Sequence, residues 1–167
     1  MSILIRAFRP EDSAAVNRIA VAAYQHYQDV FADWPASAAF FAGTANLAAV
    51  LDLLVAVGGR GDILGSVGYV APGRRREALY EPDWAVIRRL SVDPRAQRRG
   101  IGRQLTEECI ARARQDGASI IALQTSSVMQ AALLMYVDLG FAHCRGAPDI
   151  HGVPHAIYTL LLREKIL

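Results

Sequence analysis

The residues best suited to chemistry stand where a predicted strand ends and a glycine-rich segment opens a helix. This segment, 88–105, reads RRLSVDPRAQRRGIGRQL. The first N–H groups of a helix have no partner within the helix, and the helix dipole favours negative charge there. Gly100 and Gly102 lack Cβ atoms, so a phosphate group can approach the backbone closely. Further cationic donors come from three arginines, Arg98, Arg99 and Arg103. The segment therefore predicts a pyrophosphate cradle.

Two common nucleotide motifs do not fit this segment. The dinucleotide fingerprint requires a third glycine three residues after Gly102, where this chain has Leu105. The Gly-Lys-Ser/Thr ending of a P-loop is also absent from the sequence. The glycines alone are equally compatible with a tight turn, so the nucleotide has to be identified from the surrounding elements.

The elements around the cradle alternate between strands and helices. A strand over 85–92 leads into the segment, and a helix over 100–115 follows, with apolar residues at every fourth position from Ile101 to Ala113. The other predicted strands cover 3–8, 53–57, 63–70, 119–124, 141–145 and 156–162, and the other helices start near 13 or cover 36–50 and 127–139. The order βααβββαβαββ predicts an α/β (α+β) fold with helices on both faces of a sheet.

Composition narrows the class of protein. The chain has 167 residues, of which 53% are hydrophobic, and this predicts a single folded domain over 1–167. A net charge of +2 argues against nucleic-acid binding as the main activity. No membrane span or signal peptide is evident, and Cys109 and Cys144 show no metal-binding spacing. We therefore expect a cytoplasmic protein with free thiols and no metal site.

The cradle and a second motif together resemble the GCN5-related N-acetyltransferases (GNAT). The sequence QRRGIG at 97–102 matches the Q/R-x-x-G-x-G/A acetyl-CoA motif of that family. The sequence AALLMYVDLGF at 131–141 is similar to its A-x-x-L-Y-x-x-L-G-F signature. The resemblance implies a mixed, twisted sheet of about seven strands, in which the fourth and fifth strands splay apart to admit a pantetheine arm.

The resemblance also implies which backbone groups bind acetyl-CoA. Pantetheine amides would pair with the fourth strand at Leu90, Ser91 and Val92. Pyrophosphate would be held by the amides of Arg99, Gly100, Ile101, Gly102 and Arg103. The side chain of Arg98 would either contact a phosphate or remain solvated.

The implied reaction transfers an acetyl group from acetyl-CoA to a primary amine of a small molecule or a protein. Tyr136 matches the family tyrosine that faces the sulfur, and a phenol with a pKa near 10 can donate a proton to a departing thiolate. The alternative is a tyrosine that only packs in the core. A protonated amine, with a pKa near 10.4, must also lose a proton before it attacks.

The general base is less well marked. Some family members carry a glutamate where this chain has Val86. The nearby carboxylates, Glu81 and Asp83, are the candidates, and His26 is a third. Water could instead carry the proton away. The missing glutamate also raises an alternative, a non-catalytic acyl-CoA-binding module, while an interaction domain without CoA would fit the intact cradle poorly.

Further departures and open points surround the site. Met129 replaces an asparagine found in many family members, and the hydroxyl residues 125–127 either contact the cofactor or cap the following helix, with Ser127 the preferred N-cap. The arginines at 74–76 meet an acidic group or lie in a solvated loop. The acceptor pocket is expected among aromatic residues, Tyr24, Tyr27, Phe31, Trp34, Phe40 and Phe41. We also consider a homodimer formed through the apolar C-terminal strand.

Overall fold

A computed structural model describes residues 2–163 of the chain. Its helices are α1 (Ser13–Gln25), α2 (Trp34–Phe41), α3 (Ile101–Gln115) and α4 (Gln130–Asp138). Its strands are β1 (Leu4–Ala7), β2 (Asp52–Val57), β3 (Ile63–Val70), β4 (Ala85–Val92), β5 (Ile120–Thr125), β6 (Ala142–Ile150) and β7 (Val153–Leu161). Along the chain these elements follow the predicted order βααβββαβαββ.

All seven strands form one mixed sheet in the order β1-β2-β3-β4-β5-β7-β6. Its parallel pair is β4 and β5, which are in register only at Ala85 with Ile121 and Val86 with Ala122. Beyond these two positions the ladder between β4 and β5 stops, although both strands continue. The predicted splay between the fourth and fifth strands is therefore confirmed.

A β-bulge bends β4 within its divergent part. Ser66 pairs with Ser91 and Gly68 pairs with Arg88, so two residues of β4, Arg89 and Leu90, lie opposite Val67 alone. Arg89 has a φ of +53°, in the left-handed region that residues with a Cβ rarely adopt. Bulges of this kind bend the strand and redirect its side chains.

Buried side chains cover both faces of the sheet, as predicted. One core cluster includes Leu105 and Cys109 of α3 with Tyr136 of α4. A second includes Val16 of α1 with Val55 of β2, on the other face. None of the helices in residues 2–163 has the length and apolar character that crossing a membrane requires.

Some helix boundaries differ from the prediction. The helix expected over 36–50 is instead α2 followed by a short 3-10 turn over Thr44–Ala49. Ser127 is not the N-cap of α4, because that helix starts at Gln130 and Met129 occupies the cap position. The Ser126 hydroxyl accepts a hydrogen bond from the N–H of Val128 at 3.2 Å, so the polar residues shape a turn before the helix.

The C-terminal strand does not have the position that a strand-paired homodimer requires. β7 lies between β5 and β6, so both of its edges are already hydrogen-bonded. The premise that this strand pairs with a second copy is therefore wrong. The free edge at this end of the sheet belongs to β6, whose residues are mostly exposed.

Candidate active site

The predicted cradle is a curled loop at the start of α3. Arg98 and Gly100 both have left-handed backbone conformations, with φ of +64° and +74°. Gln104 donates the first hydrogen bond of the helix, to the carbonyl of Gly100 at 3.0 Å. In the part of the chain that the structure describes, the N–H groups of 98–103 have no protein acceptor. They form a row of free donors at the positive end of a helix.

Gly102 leaves room beside this row of donors. A Cβ added there would lie 3.5 Å from Val92, 3.7 Å from Leu90 and 3.9 Å from Met135. These are ordinary van der Waals distances, so the fold itself tolerates a small side chain at this position. The missing side chain instead widens the space between α3, α4 and the divergent end of β4. An elongated ligand with phosphates at one end fits this arrangement.

The arginines of the loop differ in how their charges are balanced. Arg98 and Arg99 are exposed and form no ion pair within residues 2–163. Arg103 lies 3.0 Å from Glu107 and 2.5 Å from Asp138. Its guanidinium is therefore already neutralised, and the backbone N–H is the part of Arg103 that suits the predicted contact.

The divergent part of β4, beyond Val86, includes Leu90. Its carbonyl accepts a hydrogen bond from the Tyr24 hydroxyl of α1 at 3.0 Å. Ser91 is buried, and its hydroxyl has no hydrogen-bond partner in the structure. Leu90 and Val92 both border the space beside Gly102. The predicted strand residues thus lie next to the cradle, while the link from Tyr24 was not identified from the sequence.

Tyr136 enters the same region from α4. Its ring packs against Phe141 in an edge-on arrangement, with ring centroids 5.7 Å apart. The residue is 5% exposed, and its hydroxyl makes no hydrogen bond within the described residues. Burial, with a smaller contribution from Tyr24, raises the pKa of Tyr136 well above its usual value. The phenol therefore remains protonated at any physiological pH, as an acid catalyst requires.

The structure does not bring the candidate bases to Tyr136. Glu81 and Asp83 are exposed in the loop before β4, and the Glu81 carboxylate lies 3.9 Å from Arg145 of β6. The paired residues of β4, Ala85 and Val86, separate them from the divergent segment. His26 is exposed at the end of α1, where its ring contacts Tyr27.

The carboxylate that does reach the middle of β4 is Glu77, which lies 2.8 Å from the guanidinium of Arg88. Sequence reasoning missed this contact because Glu77 lies in an irregular loop without periodicity. The same loop is held by Arg76, which donates to the carbonyls of Ala71, Arg74 and Trp84. Arg76 therefore has a structural role, and only Arg74 and Arg75 fit the expectation of a solvated loop.

The aromatic residues of α1 and α2 lie on the other side of β4. Tyr24 stacks on Phe41 with ring centroids 4.1 Å apart, and Phe41 is buried. Phe40 is 44% exposed, between the guanidinium of Arg89 at 4.0 Å and the ring of His151 at 4.9 Å. Part of the predicted aromatic pocket is therefore core, and Phe40 is its most exposed member.

A small cavity of about 150 Å³ lies at the end of β5. It is lined by Thr125, Ser126, Ser127, Pro154, His155, Ala156 and Tyr158. The hydroxyl residues 125–127 thus border an opening at the end of the strand that diverges from β4. Residues 2–163 contain no group of three or more His, Cys, Asp or Glu side chains that could hold a metal ion.

An open mixed sheet with one splayed parallel pair and a cradle of free amides beside the gap defines an acyl-CoA-dependent transferase fold. The family model of the acetyltransferase (GNAT) family matches residues 15–141 of this chain. The chain therefore belongs to the GNAT acetyltransferase family, whose acyl donor is acetyl-CoA.

Solved structures have the same fold. A protein from Corynebacterium glutamicum, described as histone acetyltransferase HPA2 and related acetyltransferase, is 20% identical with a TM-score of 0.76, and the match covers 100% of both chains. The yncA protein from Salmonella typhimurium, solved with its cofactor acetyl-CoA, is 21% identical with a TM-score of 0.70 and covers 100% of this chain and 98% of its own. A GNAT family acetyltransferase from Brucella melitensis, in complex with acetyl-CoA, is 21% identical with a TM-score of 0.64 and covers 99% and 92%. No curated protein sequence matches this chain significantly.

Proposed function

We propose that this protein transfers the acetyl group of acetyl-CoA to a primary amine of a small molecule or a protein. The observation that carries the proposal is the row of unpartnered N–H groups over 98–103, next to the gap between β4 and β5. The row suits a pyrophosphate, and the gap suits an extended arm that ends near Tyr136. The family membership of the chain supports the same reaction.

The chain binds its donor mainly through backbone groups. The amides of Arg99 through Arg103 hold the pyrophosphate, where the helix dipole adds to each hydrogen bond. The exposed guanidinium of Arg98 contributes long-range attraction to the phosphates. Backbone groups of Leu90, Ser91 and Val92 pair with the pantetheine amides along the unpaired side of β4.

Acetyl-CoA supplies an activated acetyl group as a thioester. The amine nitrogen forms a bond to the acetyl carbon, the carbon–sulfur bond breaks, and the amine loses a proton while the sulfur gains one. Tyr136 donates the proton to the sulfur. Burial raises the pKa of Tyr136, so the phenol is a weaker acid than the departing thiol. Its hydrogen bond therefore acts mainly by stabilising the negative charge that develops on the sulfur, and the proton is transferred inside the same buried site, where the thiolate has also lost its hydration and is more basic.

We propose that the proton of the amine leaves through water to exposed carboxylates of the loop before β4. Glu81 and Asp83 remain the candidates from the sequence, and Glu77 is closest to the middle of β4. Because these groups are solvent-exposed, no single one of them controls the rate. Replacing Glu81 or Asp83 by the corresponding amide should leave the pH profile of kcat/KM unchanged.

The first experiment is thermal unfolding with acetyl-CoA, CoA, NAD and ATP in parallel. At about 100 times its Kd a ligand adds roughly 2.7 kcal/mol of stability, which is about 5–10 °C for a chain of this size. We expect a shift with acetyl-CoA and CoA only, followed by release of CoA thiol when amines are added. If neither form of CoA shifts the Tm, the proposal is wrong.

A non-catalytic acyl-CoA-binding module is the second candidate. It is favoured by Val86, a fully buried apolar residue where some family members carry a glutamate. This candidate predicts the same thermal shift without any thiol release. Sustained turnover with any amine would exclude it.

The expected cytoplasmic location is also part of the proposal. Cys109 is buried and Cys144 is exposed, and both are free thiols. Free thiols of this kind suit a reducing compartment.

A further inference from the structure

Two adjacent arginines of β4 differ in whether a carboxylate neutralises their positive charge. Arg88 forms an ion pair with Glu77 at 2.8 Å. Arg89 takes part in no ion pair within residues 2–163, and its one polar contact is a long one, from its guanidinium to the Thr44 hydroxyl oxygen at 3.4 Å. Thr44 already donates its own hydroxyl hydrogen to the carbonyl of Phe41 at 2.6 Å. The positive charge of Arg89 is thus not neutralised by the fold.

Because Arg89 is half-buried, the lack of an ion-pair partner for its guanidinium costs free energy. The guanidinium is half-buried over the ring of Phe40, 4.0 Å from its centroid, and burial lowers the pKa of Arg89. A charged group that leaves water needs an opposite charge or several hydrogen bonds to offset the lost hydration. A cation–π contact supplies part of this, and most of the five N–H donors of Arg89 remain unused.

The unused donors remain accessible to a ligand. The two guanidinium nitrogens of Arg89 that make no hydrogen bond, Nε and Nη2, are not sealed from solvent. Phe40, directly beneath the guanidinium, is 44% exposed. A ligand that places an anionic group on Arg89 and an apolar group on Phe40 would satisfy both surfaces.

This pair of surfaces lies beside the donor site. Arg89 immediately precedes Leu90, which borders the space at Gly102 and accepts the hydrogen bond from Tyr24. Arg89 lies in the bulge with a left-handed backbone conformation, and its side chain packs on Phe40 of α2. A molecule held by Arg89 therefore lies on the acceptor side of β4, close to the divergent segment.

We propose that the acceptor is a small amine that also carries a carboxylate, such as a free amino acid with an apolar side chain, and that Arg89 binds this carboxylate. This inference rests on the proposed function, because it assigns the acceptor of that reaction. Arginine suits the role since its planar fork binds a carboxylate through two parallel hydrogen bonds. The same cation repels a simple ammonium ion, and an acceptor with a negative charge beside its reacting amine avoids this repulsion.

The test compares amino acids with the amines that remain when the carboxylate is removed. Phenylalanine, leucine and methionine are assayed beside their decarboxylated amines, with phenylalaninamide as a neutral analogue, by release of CoA thiol. We expect kcat/KM to be at least about tenfold higher for the amino acids. In Arg89→Met this advantage should largely disappear, mainly through KM, so that amino acids and their amines react about equally, and Arg89→Lys should restore part of it.

Arg88→Met is the matched control, since it removes the neighbouring arginine that already has a partner. Its ratio of amino-acid to amine turnover should equal that of the wild type. A purely structural Arg89 would lower the Tm of the variant and leave this ratio unchanged, and that result would overturn the proposal. Equal turnover of phenylalanine and phenethylamine by the wild type would overturn it as well.

A binding measurement separates this inference from the proposed function. The ligand 3-phenylpropanoate carries the carboxylate and the apolar group without an amine, and its binding is followed by thermal shift in the presence of CoA. We expect stabilisation of the wild type and of Arg88→Met but not of Arg89→Met. If CoA binds and 3-phenylpropanoate does not, the carboxylate site is wrong while the donor site stands. If neither form of CoA binds, the proposed function has failed.

Discussion

We place acetyl-CoA on one side of β4, the donor side, and the amine on the other, the acceptor side, and the two sides are built from different parts of the chain. On the donor side the backbone supplies the binding groups, in the unpartnered amides of 98–103 and the divergent segment of β4. On the acceptor side the side chains of Arg89 and Phe40 form the accessible surface. A backbone site binds what every member of a family shares, since any sequence with the right turns can form it. A side-chain site can change the acceptor while the fold is kept.

The largest effect is expected where the two sides meet, at Tyr136. Tyr136→Phe should lower kcat by about 10²–10⁴-fold, because the proposed proton donor to the sulfur is removed. The affinity for acetyl-CoA should not change, which isothermal titration calorimetry can check. Tyr80→Phe is the control, since Tyr80 is also buried but belongs to the loop before β4. An unchanged kcat in Tyr136→Phe would remove the residue from the mechanism.

A negative charge added next to the amides of 98–103 should abolish CoA binding and leave the acceptor side unchanged. Gly102→Glu puts a carboxylate beside the amides that we propose hold the pyrophosphate, and we expect the Kd for CoA to rise by about 100-fold or more. Gly146→Glu is the matched control, because a Cβ at this exposed position of β6 meets no atom within 4 Å. Calorimetric titration of both variants with CoA measures the difference. Wild-type affinity in Gly102→Glu would show that the loop does not bind the donor.

The raised pKa of Tyr136 also predicts how stability depends on alkaline pH. The folded phenol holds its proton more tightly than the unfolded one, so its contribution is complete below about pH 10 and is lost as pH rises further. Each pH unit above 10 should remove about 1.4 kcal/mol through this group. Urea unfolding between pH 9 and 11 should therefore show a shallower decline for Tyr136→Phe. Parallel declines in the two proteins would contradict the burial of a protonated phenol.

The smallest effect is expected for the arginine side chains of the donor loop. Arg98→Gln and Arg99→Gln remove exposed charges without altering the backbone amides, so the Kd for CoA should rise only about 2–5-fold each. The loss should grow at low ionic strength, because exposed charges are screened by salt. Losses as large as that of Gly102→Glu would mean that side chains, not the backbone, hold the phosphates.

The same contrast explains what the sequence could predict. The loop of free amides could be predicted because its geometry requires residue types that are visible in the chain, with glycine at the left-handed position 100 and at the open position 102. Its binding of pyrophosphate stays a prediction. The element order followed from periodicity, because it depends on local conformation, which leaves a pattern in the sequence. The splay of β4 from β5 was implied only by the resemblance to the family.

The features that were missed depend on packing between distant segments. The ion pair of Glu77 with Arg88 and the contact of Arg89 with Phe40 join residues from separate elements. The bulge that orients Arg89 has no glycine to mark it. The edge position was also assigned to the wrong strand, because the order of strands along the chain does not show that β7 lies between β5 and β6 in the sheet.

The two paired positions between β4 and β5 have a mechanical consequence. The sheet consists of two ladders, β1 to β4 and β5 to β6, joined by a seam of two residue pairs. In the position that we propose, acetyl-CoA would supply hydrogen bonds where the seam stops and would act as a strand shared by both ladders. Amide protons of the divergent residues should then exchange with solvent more slowly once CoA is bound, and the substrate becomes a part of the sheet for the duration of each turnover.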